Sequence, residues 1–168
     1  MSFSMFDASV PAFSRSLRAL EAILARAEAH AVARKIDPAV LLGARLFPDM
    51  LPLTRQVQIA TDHAKGAVAR LTATEVPRFA DDEQSFAELR ARVAKTLQLI
   101  AAATPAGFEG AEAREIAFRL GPHDLSFTGA QYLTGFALPN FYFHLATAYG
   151  ILRHNGVELG KQDFLGRD

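Results

Sequence analysis

The chain has no cysteine. That excludes a disulfide framework, a thiol nucleophile and a thiolate metal site, and it suits a reducing cytoplasm. Nor is there an excess of charge of either sign. Eighteen Lys and Arg balance eighteen Asp and Glu over 168 residues, and nowhere do basic side chains crowd densely enough to track a phosphate backbone. Nucleic acid is therefore not an expected partner. The opening residues MSFSMFDASV lack the basic start and apolar run of a secretory signal, so the mature chain is expected to begin near Met1. A long hydrophobic run is missing too. Phe136 to Leu152 is nearly free of charge, but its 17 residues are interrupted by Pro139, Asn140 and His144 and fall short of a bilayer-crossing helix. No membrane span is expected, and a cytoplasmic location follows.

Self-sufficient catalytic motifs are absent as well. GVELGK has three residues between its glycines where a phosphate-binding loop needs four, and it lies near the end of the chain rather than between a strand and a helix. There is no H-E-x-x-H, no glycine-rich dinucleotide fingerprint after a strand and no G-x-S-x-G.

What is present is apolar side chains, half of all residues, arranged mostly with helical periodicity. One domain over residues 1–168 is expected from this length. Phe13, Leu17, Leu20, Ile23 and Leu24 share one side of a first helix, from about Ser9 or earlier to Arg34. Asp37-Pro38 places an N-cap before a proline and opens a short helix through Leu46. A second main helix covers about Met50 to Leu71. The third begins with the capping-box spacing Ser85-Phe86-Ala87-Glu88 and runs to about Ala103. In REIAFRLGPHDLSFTG, Ile116, Phe118 and Leu120 alternate with Ala117 and Arg119, which predicts a β-hairpin turning at Gly121-Pro122-His123. Thr128 to Gln131 repeats the capping-box spacing and starts a fourth helix, expected to kink near Pro139 and end at Asn155-Gly156. The tail VELGKQDFLGRD reads as an ordered loop. The fold class is all-α: a four-helix bundle with a short hairpin between the third and fourth helices.

Two internal histidines carry the chemical interest. On the second helix Asp49, Gln56, His63 and Arg70 recur every seven residues and so share one stripe. Such a stripe is either a solvated face or an inward one. Gln58, Lys65 and Arg55 offer a more conventional wet side opposite, which favours the inward reading. On the fourth helix, within LPNFYFHLATAYGIL, His144 shares a face with Asn140, Phe141, Ala148 and Ile151. His154 lies too far along to join His144 at one ion and suits a helix C-terminus, as does His30, while His123 falls in the hairpin turn.

A second helix with a central His, a hairpin after the third and a last helix bearing HLATAYGIL together resemble the DinB/YfiT-like superfamily of four-helix metalloenzymes. ARLFPDMLPLTRQVQIATDHAKG and NFYFHLATAYGILRHNGVELGK are similar to a bacterial subfamily known only as a domain of unknown function. The resemblance implies an up-down-down-up bundle and a homodimer. It also implies a divalent ion, Zn or Ni, held by one His of the second helix and two of the fourth spaced H-x-x-x-H. His63 matches the first position and His144 the second, whereas the third falls on Ala148, which has no ligand atom.

Two functional expectations therefore stand side by side. In one, the chain is an uncharacterised DinB-like enzyme with a degenerate metal-dependent or thiol-dependent transferase or hydrolase site around His63 and His144, supported by Gln56, Asn140 and Arg70; a thiol cosubstrate is the class the resemblance implies. In the other, it is a metal-free small-molecule-binding protein or a structural one, its histidines hydrogen-bonded and merely fixing helix register. A small-molecule ligand is expected in the first and in the binding form of the second.

Overall fold

The computed structural model describes residues 4–166. α1 (Met5–Arg34) starts at a capping box in which Ser4 and Asp7 satisfy each other's amides, earlier than its apolar periodicity begins, and it ends at Lys35 in the left-handed region. α2 (Pro38–Leu42) is capped by Asp37 as expected but stops at Gly43, short of Leu46. α3 (Leu53–Leu71) starts three residues later than expected from the apolar pattern. The ring of Pro52 disfavours a helical Leu51, so the helix begins only after the proline. Asp49 consequently falls outside it and leaves the predicted stripe.

α4 (Phe86–Ala101) is capped by Ser85, whose hydroxyl accepts from the Glu88 amide. A 3₁₀ turn at Pro105–Phe108 follows. The antiparallel hairpin joins β1 (Glu115–Leu120) to β2 (His123–Thr128). Leu120 pairs directly with His123, so the turn is Gly121-Pro122 alone and His123 belongs to the strand. Gly121, with φ +58°, supplies the positive φ that the first central position of such a two-residue turn requires.

The last main helix comes in three parts: α5 (Gly129–Tyr132) behind the Thr128–Gln131 capping box, a π-helical segment at Leu133–Ala137, and α6 (Leu138–His154). The irregularity expected at Pro139 thus falls just ahead of it. Pro139 has no amide hydrogen and its ring opposes the carbonyl of Gly135, so the hydrogen-bond ladder widens in the preceding turn. The tail is not a loop throughout: α7 (Lys161–Leu165) forms after Gly160, whose amide donates to Asp163 Oδ2. It is held to α1 by the Arg26–Asp163 ion pair at 2.8 Å, and Phe164 packs edge-on to Tyr149 of α6.

α3 packs on α6 and α4, and α1 on α4 and α7. One buried apolar cluster joins them, with Phe13 and Leu17 of α1, Val57 of α3, Val93 of α4 and Phe141 of α6 among its members. The Phe13 and Phe141 rings meet edge-on at 4.9 Å. The architecture is thus the expected helical bundle with its small hairpin. Among the described residues no helix is long and apolar enough to cross a membrane.

The expected wet side of α3 is largely interior. Gln58 and Lys65 are buried, because the segment after α3 folds back over them and α4 sends Arg92 between. Arg92, 4% exposed, donates to the Thr61 hydroxyl and the Ala80 carbonyl, and pairs with Asp62 at 2.8 Å, Glu83 at 2.9 Å and Asp81 at 3.1 Å. Lys65 shares Asp62, and Gln58 donates to Glu83. Phe79 lies under Lys65, Lys95 and Arg92.

Candidate functional site

The seven-residue spacing of Gln56, His63 and Arg70 places all three on the α3 flank that meets α6 and the π segment. Gln56 is 2% exposed, whereas His63, His144 and Arg70 are half-buried. The imidazoles of His63 and His144 stack with centroids 6.0 Å apart and planes inclined by 14°.

Gln56 fixes one of these rings. Its Nε2 donates to the Leu51 carbonyl at 2.9 Å, so the oxygen of the amide must face His144, 2.7 Å from Nδ1. That oxygen can only accept, so Nδ1 of His144 carries the hydrogen and Nε2 keeps its lone pair. The late start of α3 contributes directly, since it leaves the Leu51 carbonyl free to orient Gln56.

Both imidazoles are held in the neutral form. Burial, then the charges of His144 and Arg70, outweigh the opposing pull of Asp62 and lower the His63 pKa from 6.5 to about 4. Burial alone lowers that of His144. Neither ring is an imidazolium at neutral pH.

Beyond the pair the flank is aromatic. His63 meets the Phe136 ring at 5.6 Å, and Phe136 lies within 6 Å of both Tyr132 and Phe118. Arg70 lies at the far end of this wall, its guanidinium 4.4 Å above the Phe118 ring and donating to the Tyr132 hydroxyl at 3.2 Å. Gly66 makes room for it: a Cβ there would stand 2.6 Å from Nη1 of Arg70. Sequence reasoning missed Phe118, Tyr132 and Phe136. The alternation of β1 marks one side of the hairpin, but nothing in the sequence says which element that side covers.

The remaining candidates separate. Asn140 donates to the Phe136 carbonyl of its own helix at 2.8 Å, and among the described contacts it makes no hydrogen bond to His63, His144 or Gln56. Ala148 is fully buried one turn beyond His144. His154 ends α6, His123 pairs across the hairpin and His30 lies near Gly156, each away from the pair. Cavities of about 170 to 590 Å³ lie along α1 and α7, behind the 3₁₀ turn and under residues 75–79. The histidines line none of these, and both rings are half-buried on the flank of α3.

These residues do not complete a divalent metal site. Zn or Ni in a catalytic site takes three protein ligands. Here the third position is a methyl group, the Gln56 oxygen already accepts from His144, and no group of three His, Cys, Asp or Glu side chains suited to a metal occurs among the described residues.

A bundle with this hairpin and a histidine on each of two facing helices is DinB-like. The family model described as "Domain of unknown function (DUF1993)" matches residues 5–165, and the chain belongs to that family. Consistently, the crystal structure of a DinB family member protein from Shewanella denitrificans is similar over 98% of this chain and 93% of that one, at 46% identity and a TM-score of 0.90. No curated protein matches.

Proposed function

We propose that this protein works as one DinB-like domain whose His63–His144 flank takes up a small molecule and moves a proton on it without a resident metal. The observation that supports this most directly is the Gln56–His144 hydrogen bond, which leaves Nε2 of His144 unprotonated and its ring fixed. His144 is then the acceptor for an acidic X–H group. His63, whose pKa is lowered to about 4, does not compete for that proton and remains a neutral neighbour. The reaction class is a degenerate transferase or hydrolase. A thiol cosubstrate is the class its DinB-like character suggests.

The first experiment is metal content per chain for the wild type beside His63→Ala and His144→Ala, followed by a thiol-transfer screen. We expect no stoichiometric metal, turnover lost in His144→Ala, and an unchanged circular dichroism spectrum. Unchanged turnover in His144→Ala sinks the assignment, and a retained small molecule without turnover makes the site a binding one. Near-stoichiometric Zn or Ni lost in both variants would replace it with a metal-dependent reading. One observation favours that second reading: a metal-bound histidine also donates its other ring N–H to an oxygen acceptor, as Nδ1 of His144 does to Gln56.

A cytoplasmic homodimer completes the proposal. Phe143 of α6 is 58% exposed and Phe47 63%, apolar area that a second copy would cover. Light scattering should give twice the 18.3 kDa of one chain; the monomer mass at micromolar concentration would refute it.

A further inference from the structure

Arg92 and Arg70 are both arginines drawn into the bundle, and only one of them is neutralised. Three carboxylates lie within 4 Å of Arg92. Arg70 has none among the described residues: its contacts are the Phe118 ring, the Tyr132 hydroxyl and the backbone space left by Gly66. A guanidinium carries five N–H donors, and the Tyr132 hydroxyl accepts from one nitrogen. It stays charged at any physiological pH, and a half-buried charge without a counter-ion is unfavourable. Its position is fixed all the same, by a ring below and a hydroxyl beside it.

The surroundings reinforce the sign. The flank between Arg70 and His144 is built from neutral imidazoles and aromatic rings. Asp62, the carboxylate whose charge reaches His63, is engaged by Arg92 and Lys65 on the other side of α3. An anion is therefore drawn to the Arg70 end, beside which the half-buried rings of Phe136 and Phe118 leave apolar surface exposed.

We propose that Arg70 is the anchor for a carboxylate, so that the molecule taken up by this flank is a small organic acid with an apolar body, its carboxylate on the Arg70 guanidinium and its reactive X–H group toward His144. This rests on the reading of the flank as a ligand site and adds the class of ligand.

The test uses benzoate as the probe and benzyl alcohol as its neutral counterpart, followed through the amide resonances of positions 66 and 135 in the full-length protein. Benzoate should shift both resonances saturably, and benzyl alcohol should not. In Arg70→Gln the benzoate affinity should fall about ten- to a hundredfold, the scale of charge-assisted hydrogen bonds, with Arg70→Lys in between because it keeps the charge and loses the fork. Gly66→Ala, which displaces the guanidinium and leaves Arg70 in place, should weaken benzoate in the same direction, so the test survives a poorly folding Arg70→Gln. Equal binding of benzyl alcohol, undiminished binding by folded Arg70→Gln, or no shift with benzoate overturns the proposal. Inorganic phosphate competing as well as benzoate would overturn the choice of a carboxylate. If no turnover is found with any thiol yet benzoate binding still depends on Arg70, the proton-transfer reading fails and the anchor stands.

Discussion

The two flanks of α3 are built from similar residues and solve their electrostatics in opposite ways. Toward α4, Gln58, Asp62 and Lys65 are closed into a network with Arg92, Asp81 and Glu83, and the segment after α3 lies over it. Toward α6, Gln56 is buried between the Leu51 carbonyl and His144, while His63 and Arg70 stay half-buried, with aromatic faces and one hydrogen bond from Arg70 to Tyr132 as their company. A saturated network has no capacity left for a ligand, however many charges it contains. The sparser flank has a fixed cation and a free imidazole nitrogen, which is what a binding site needs.

The sharpest way to break this comparison is to remove each arginine in turn. Arg92→Met should cost roughly 3 kcal/mol or more of unfolding free energy, because it leaves the nearly buried Glu83 without a cation and the Thr61 hydroxyl and Ala80 carbonyl without their donor. Arg70→Met should cost under about 1 kcal/mol, the scale of one partly exposed cation–π contact and one hydrogen bond. Denaturant midpoints at constant m would measure both. Similar costs would mean that Arg70 too is structural.

Acidification should separate the flanks next. His63 has a pKa near 4 in the folded chain, below its ordinary 6.5, so the unfolded chain binds the proton first. Stability should then be flat above pH 6.5 and decline as the pH falls from there toward 4, with His144 acting in the same sense. Asp81 behaves otherwise. Burial raises its pKa, but Arg55 and Arg92 more than offset this and hold it below 3.8, so its contribution persists until the pH drops past that value. Melting curves from neutral pH to about pH 3 should show two declines, the first reduced in His63→Ala and the second retained. A single decline confined to the lower range would contradict the burial of His63.

The smallest effect is expected from Gly66→Ala. Helix propensity gains about 0.5–1 kcal/mol, while the new methyl group meets the end of the Arg70 side chain and no backbone, so only the contacts of the guanidinium with Phe118 and Tyr132 are lost. Stability should hold or rise slightly as the Tyr132 environment changes, readable in its ring proton resonances. A loss above about 1 kcal/mol would show that the guanidinium cannot move aside.

Much of this was written locally. Ser85 with Glu88 and Thr128 with Gln131 mark their helix starts by short-range chemistry, and the seven-residue spacing put Gln56, His63 and Arg70 on one flank before any packing was known. Other features depend on distant neighbours. Lys65 and Gln58 read as wet because nothing in α3 announces that a later segment will cover them. Asp49 left the stripe because Pro52 delays the helix. The five residues of α7 are too few for periodicity to register, and the π segment has no period of its own. The aromatic wall required knowing where the hairpin docks.

The π segment also governs how this helix can change. A π turn accommodates one residue more than an α turn, which re-phases everything after it by about 100° relative to what came before. Tyr132, which holds Arg70, is on one side of that slip and His144 on the other. Shortening Leu133–Ala137 by one residue would leave two regular helices and a core of similar composition, but Tyr132 and His144 could no longer both face α3. The sequence length of this stretch is therefore a setting in its own right, and relatives that differ there by a single insertion or deletion would present a differently assembled flank from the same side chains.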